Sequence, residues 1–357
     1  MNNKKVELLS PAGNLEKLKI AIKYGADAVY AGVSHFSLRI RAGKEFTFET
    51  FKEGIDYAHA HGKKVYATIN GFPFNSQIEL LKKHIATMAS LEPDGFIVAA
   101  PGVVKLCREI APQIDIHLST QANVLNYLDA QVFWDMGVKR IVVAREISLK
   151  DVVEIKKHLP DMEIEIFVHG SMCFAYSGRC LVSAVQMGRV PNRGSCANDC
   201  RFEYTLYAAN EDHSTLFRLE EEPGVGTYIF NSKDMNLASH IKEILDSGAV
   251  DSLKIEGRTK SPYYAAVTAK AYRNAIDDYY DGKFEASKYQ RELYTTKNRG
   301  FTDAYLIHRP FEKTDSQNHD YALSKGSYEV TGLVTQDEEH FLCKYKVYPN
   351  EDIEIFT

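Results

Sequence analysis

Along the first two thirds of the chain, short apolar runs rich in Val, Ile and Ala alternate with longer stretches whose apolar residues recur every third or fourth position. The short runs read as strands buried on both faces, and the longer stretches read as amphipathic helices. Strands are predicted at Glu7–Ser10, Ala28–Ala31, Lys64–Asn70, Gly95–Val98, Asp115–Ser119, Val138–Val143, Glu163–Val168 and Ser252–Ile255. Between them, helices are predicted over Leu15–Tyr24, Phe48–His61, Ile78–Leu91, Val103–Ala111, Leu125–Met136 and Leu149–His158. Gly25, Gly62 and Gly137 stand just past three of these, where a left-handed residue ends a helix.

Such alternation belongs to a parallel sheet with right-handed crossovers, and eight strand units predict an α/β fold of the (β/α)8, TIM-like barrel type. A doubly wound sheet is the alternative that the same pattern allows. The rhythm breaks after strand seven. A cysteine-bearing insertion with a hairpin pattern occupies residues 170–225, before helices at about Leu237–Leu245 and Pro262–Tyr280 resume it. Loops that follow strands form the catalytic face of such barrels, so this insertion bears on function. The barrel-like unit is expected over residues 1–310. From residue 320 to 357 a small C-terminal β extension is expected, with strands in YEVTGLV, HFLCKYKV and DIEIFT. Three strands without a closing partner are marginal alone, so the expectation is a partial, truncated module.

Composition sets limits on this picture. Of 357 residues, 45% are hydrophobic and 25% charged, which is ordinary for a folded domain. A net charge of -5 excludes a globally basic nucleic-acid packaging surface, so any polyanion site must be local. The opening MNNKKVELLSPAG has no apolar leader, and no run approaches the roughly eighteen apolar residues of a membrane span. A cytoplasmic protein without membrane contact is expected.

Six cysteines are too few for a disulfide scaffold, and four of them crowd between Cys173 and Cys200. Cys107 and Cys343 read as isolated, buried small hydrophobes. The crowded four are spaced C-x6-C-x15-C-x3-C. Cys196 and Cys200 suit paired zinc ligands, Cys173 and Cys180 do not, and iron-sulfur clusters also use four thiolates. Spacing leaves zinc and iron-sulfur both open. Gly170, Gly178, Gly188 and Gly194 let backbone pass close to a ligand, and Arg179, Arg189, Arg193 and Arg201 face a single acid, Asp199.

Polar residues at strand ends point into a barrel's mouth. Ser10, Asn70, Gln121, Arg145, Glu146, His169, Glu256 and Arg258 hold such positions. Of these, His169, Arg145, Glu256 and Gln121 are catalytic candidates, with His169 a potential acid, base or donor to a cluster. Arg258, Asn70, Arg193 and Arg39 are substrate-binding candidates, the arginines for carboxylate or phosphate. Arg145 with Glu146, and Glu256 with Arg258, could equally be ordinary ion pairs at the rim. No H-E-x-x-H or G-x-S-x-G occurs, and Cys173 acting as a nucleophile beside His169 would leave three cysteines without a purpose.

The run Glu165-x-Phe167-x-x-Gly170-Ser171-x-Cys173-x4-Gly178-x-Cys180-x-Val182-Ser183 resembles the signature of the collagenase-like peptidase family of formerly unknown catalytic type. The runs ELLSPAGNLEKLKIAIKYGADAVYAG, KKVYATIN, HLSTQANVLN, NRGSCANDCR, NSKDM and LKIEGR resemble it too, so the likeness covers nearly the whole chain. It implies a barrel with a C-terminal β extension and, in the branch it is most similar to, oxygen-independent hydroxylation of wobble uridine in tRNA rather than proteolysis. It further implies a 4Fe-4S cluster on Cys173, Cys180, Cys196 and Cys200, prephenate as oxygen source, and a partner that delivers electrons or the cluster. One departure stands out: where relatives are expected to place a cysteine after Ser-Lys-Asp-Leu, Asn236 follows Ser232-Lys233-Asp234-Met235. The fourth ligand is then Cys200 or an open site. A collagenase-like peptidase and a zinc-stapled RNA-binding barrel are the other readings.

Overall fold

The computed structural model describes residues 5–33, 36–38, 46–209, 215–219, 230–310 and 313–318. It also describes 324, 326, 328, 331–334, 340–343, 346–350 and 352–356. Strands β1 (Glu7–Pro11), β2 (Ala28–Ala31), β3 (Lys64–Ile69), β4 (Gly95–Val98), β5 (Asp115–Leu118), β6 (Arg140–Val142) and β7 (Glu163–Ser171) pair in parallel in chain order. Strand β11 (Ser252–Ile255) pairs in parallel with both β7 and β1 and closes the sheet into an eight-stranded barrel. These are the strands that the apolar runs predict, and closure excludes the doubly wound alternative.

Around the barrel lie α1 (Leu15–Lys23), α2 (Phe48–Ala60), α3 (Ile78–Ala89), α4 (Pro101–Ile110), α5 (Tyr127–Asp135), α6 (Leu149–His158), α8 (Ile241–Asp246) and α9 (Pro262–Tyr280). Side chains of Asn14, Asn126, Ser148 and Ser261 accept from backbone N–H groups of the first turns of α1, α5, α6 and α9. Gly25, Gly62 and Gly137 have φ of 101°, 66° and 83°, the left-handed ends expected of them.

Side chains alternate across each strand. Leu8, Val29, Val65, Phe96, Ile116, Ile141, Ile164 and Leu253 pack in the large apolar cluster, while Leu9, Ala28, Tyr30, Tyr66 and Ile97 form a separate one. Below that inner layer, at the N-terminal strand ends, Arg140 donates to Glu7 at 2.5 Å, Glu163 at 2.6 Å and Glu165 at 3.1 Å. Lys254 Nζ donates to Glu165 at 2.6 Å, and the Tyr66 hydroxyl donates to Glu7 at 2.7 Å. Arg140, Glu165 and Lys254 are almost fully buried.

Several features depart from the pattern-based expectation. β7 runs to Ser171, and β10 (Asp234–Asn236) pairs antiparallel with its end, carrying β12 (Phe301–Thr302) on its far side. Helix α10 (Ala286–Tyr294) occupies a charged stretch in which only Tyr289 and Leu293 are buried, too few to show a period. The insertion carries the hairpin that the sequence predicts, β8 (Leu206–Ala209) with β9 (Leu216–Leu219), and in addition the short helix α7 (Val182–Met187). In the C-terminal region β13 (Gly332–Val334) and β14 (Phe341–Cys343) form an antiparallel hairpin. DIEIFT forms no strand: Phe356 instead stacks on Tyr24 at 5.2 Å, with the Lys270 ammonium 4.3 Å from its ring. Cys107 is buried, as expected, and burial pushes its thiol up to about 12. Cys343 is exposed, because β14 lies in the hairpin rather than in a core. No helix among the described residues is long and apolar enough to cross a membrane.

Removing one partner from a buried ion network strands the remaining charges. Glu165→Ala is therefore expected to destabilise the chain by about 3–5 kcal/mol in chemical denaturation, whereas Lys105→Ala, at an exposed pair on α4, leaves the unfolding midpoint unmoved.

Candidate active site

The C-terminal ends of the barrel strands gather most of the residues singled out above. Arg145, just past β6, is ion-paired with Glu256, just past β11. Its guanidinium also donates to the Ser171 carbonyl at 3.1 Å and lies 4.2 Å from the Phe167 ring centroid. The rim pairing therefore crosses the mouth rather than joining sequence neighbours. Glu146 instead holds Ser177 of the insertion, accepting from its backbone N–H at 2.9 Å and from its hydroxyl. Gly170 has φ of 113°, and a Cβ there would come within 2.6 Å of the Glu256 carbonyl. Only glycine lets β7 approach the Glu256 backbone this closely.

Arg258 donates to the hydroxyls of Ser37 at 2.8 Å and Thr68 at 3.1 Å, which brings it into the mouth. Asn70 and Gln121 bond each other: the Asn70 amide donates to Gln121 Oε1 and the Gln121 amide to the Asn70 carbonyl, both at 3.3 Å. The Ser119 hydroxyl and the Leu38 N–H occupy their remaining acceptors at 2.6 and 3.1 Å, so this pair fixes loops. Arg193 lies outside the mouth, with its guanidinium over Phe74 and bonded to Gln77. Arg39 falls outside the described residues.

His169 is buried among Tyr264, Tyr272 and Phe301, with the Tyr272 hydroxyl 3.4 Å from its Nδ1. Burial, helped by the charge of Lys260, lowers its pKa from near 6.5 to about 3. Such an imidazole is neutral across the physiological range, and among the described residues no hydrogen bond joins it to a cysteine. Across the β7–β10 ladder it faces Asn236, whose Oδ1 accepts from the Ala238 N–H at 3.1 Å and the Tyr272 hydroxyl at 3.3 Å.

The four crowded cysteines all lie on the insertion, half-buried and unpaired by disulfides. Burial raises the Cys200 pKa, and the thiols of Cys173, Cys196 and Cys180 add to that while Arg201 opposes it. The thiols thus stand within one another's field. Among the described residues, no three His, Cys, Asp or Glu side chains are gathered closely enough to grip a single metal ion.

Three further charged groups, not singled out as site candidates from the sequence, stand close to one another. Arg299 and Asp234 form a buried ion pair, and Arg299 also feels Arg201, Cys200 and Glu256. Lys260 sits over the Tyr264 ring at 5.3 Å, its pKa lowered by burial, with Asp234, Arg299, Arg201 and Glu256 acting on it. Asp234 lies in the NSKDM run quoted above, whereas Arg299 stands in a stretch without period or motif, which gave no signal.

The His169 environment has a pH consequence. An unfolded chain protonates this imidazole near pH 6.5, the folded one only near 3, so stability falls as pH drops through that window. His169→Asn is expected to lose less stability than the parent between pH 6.5 and 4, as followed by denaturant titrations at each pH.

Residues 13–316 match the family model described as Peptidase family U32. The chain is 68% identical over 352 residues to the tRNA hydroxylation protein P of Helicobacter pylori, covering 99% of this chain and 83% of that protein. It is 39% identical over 395 residues to the protein of the same name from Escherichia coli, covering 99% and 86%. A protein named Collagenase from Porphyromonas gingivalis is 31% identical over 320 residues, covering 86% and 75%. A family match that runs from the β1–α1 turn through the cysteine insertion to α11 (Lys313–Ser316) spans the barrel and its mouth together, and the chain belongs to peptidase family U32.

Proposed function

We propose that this chain is an RNA-modifying enzyme that hydroxylates tRNA, converting the wobble uridine to 5-hydroxyuridine. The observation that carries the reading is the 68% identity, across 99% of the chain, to a protein named for tRNA hydroxylation. The proteolytic alternative has little support at the mouth: His169 is neutral, caged by aromatic rings and not bonded to a thiol.

For the cofactor we infer a 4Fe-4S cluster held by Cys173, Cys180, Cys196 and Cys200. Their place on one insertion and their mutual electrostatic influence support this. When bound, such a cluster supplies one-electron chemistry. Asn236 offers no thiolate and its carbonyl oxygen is already used by Ala238 and Tyr272, which favours Cys200 as fourth ligand over an open site.

The chain's own residues position the reactants. Arg258, held by Ser37 and Thr68, and the cations Lys260 and Arg201 supply positive charge for prephenate, a dicarboxylate. Glu256 orients Arg145 over Phe167, and the Asn70–Gln121 pair keeps two mouth loops in register. A separate protein is needed to deliver electrons or the cluster.

In cells lacking the gene and any redundant pathway, mass spectrometry of tRNA is expected to show loss of 5-hydroxyuridine derivatives; unchanged levels would remove this reading. Protein purified without oxygen is expected to be brown, with iron and acid-labile sulfide in equal amounts. Cys173→Ser, Cys180→Ser and Cys196→Ser should each bleach it. Colourless protein carrying zinc would instead support the zinc-stapled barrel.

A further inference from the structure

The insertion and the neighbouring loop between β3 and α3 expose aromatic rings. Phe74 is 59% exposed, Phe174 and Tyr176 are each 47% exposed, and Phe202 is 41% exposed. Two of these rings, Phe74 and Phe174, are held in place. Arg193 lies 4.2 Å over the Phe74 ring and is fixed in turn by Gln77 Oε1 at 2.9 Å. Phe174 packs on Phe230 at 4.6 Å, and Phe230 meets Tyr204, whose hydroxyl accepts from Gln186 of α7 at 3.1 Å. The Phe72 N–H donates to the Asn192 carbonyl at 3.4 Å, so the loop between β3 and α3 and the insertion make one surface.

The charge of that surface is one-sided. Between Ser171 and Arg201 stand four arginines and a single acid, Asp199. Asp199 is 1% exposed and accepts from the Ser183 hydroxyl, so it faces inward. Among the described residues, no carboxylate pairs with Arg179, Arg189 or Arg201. Exposed rings, two of them held in place, bordered by arginines with no carboxylate partner among the described residues, match the chemistry of unpaired nucleotides: bases stack on the rings and phosphates meet the guanidinium groups. A duplex keeps its base faces stacked internally and has none to offer.

We propose that Phe74, Tyr176 and Phe174, with Arg193 and Arg179, form a ledge beside the barrel mouth that stacks the unpaired bases of an RNA loop. This rests on the RNA-modifying reading and adds how the substrate is recognised: by single-stranded bases, with the target base delivered into the mouth from the ledge.

The test is fluorescence anisotropy of the purified full chain with a labelled stem-loop RNA and with the same sequence annealed as a duplex, read without turnover. Phe74→Ala and Tyr176→Ala are each expected to weaken stem-loop binding about tenfold, with unchanged circular dichroism and melting temperature. Phe74→Trp is expected to restore it. Arg179→Ala should lower the slope of log affinity against log salt by about 0.7, the single-strand value per phosphate contact. Should Phe74→Ala fail to fold, Tyr176→Ala and Arg179→Ala decide alone. Equal binding of duplex and stem-loop, or alanine variants with unchanged affinity, would overturn the ledge. If those variants bind RNA normally yet lose tRNA hydroxylation in cells, the surface belongs to a protein partner, for which exposed Leu181 and Val185 on one side of α7 are suited. Normal hydroxyuridine in the deletion strain, with ledge-dependent binding intact, would instead sink only the hydroxylation reading.

Discussion

The barrel depends on a charge network built around the buried Arg140, Glu165 and Lys254. Arg140 satisfies three carboxylates from β1 and β7, and Lys254 of β11 completes Glu165. Ions taken out of water repay their desolvation only when geometry and partner count are right, so this cluster tolerates very few arrangements. It pins β1, β6, β7 and β11, the strands on either side of the closing seam. A one-residue slip in any of them would turn a charged side chain outward into the apolar layer under the helices. Arg145 and Glu256 follow shortly after Arg140 and Lys254, and their meeting across the mouth is inherited from that fixed register.

The two ends of the barrel solve opposite problems. At the bottom, Arg140, Glu165 and Lys254 are buried and matched to carboxylates or cations. At the top, Arg145 has Glu256 and Arg299 has Asp234, while among the described residues Lys260 has no salt-bridge partner and lies over the Tyr264 ring. Cations gathered at an opening draw anions, even on a molecule whose net charge is negative. Local arrangement, rather than overall balance, decides what such a surface attracts.

The barrel was legible because its signal is repeated. All eight strands and the helices between them announce themselves through period and through the glycines that end them. What escaped had no repetition to lean on. β10 and β12 are too short to alternate, and α10 buries only Tyr289 and Leu293. DIEIFT alternates like a strand yet has no partner edge, and Phe356 finds Tyr24 instead. At the site, strand-end position identified Arg145, Glu256 and Arg258 but not their roles. Position cannot distinguish Arg145 pairing with adjacent Glu146 from pairing with distant Glu256. Burial separated His169 from the titrating histidine that its place suggested. Arg299 comes to the cysteines only through tertiary folding.

The cysteine insertion sits in the chain between the seventh strand and the one that closes the barrel. The chain is synthesised from its N-terminus. All four thiols therefore leave the ribosome before β11, the strand that closes the sheet, has been made. That strand arrives with Glu256, Arg258 and Lys260 just behind it. Biosynthetic order thus gives the cysteines a period of access before the cationic side of the mouth is laid beside them.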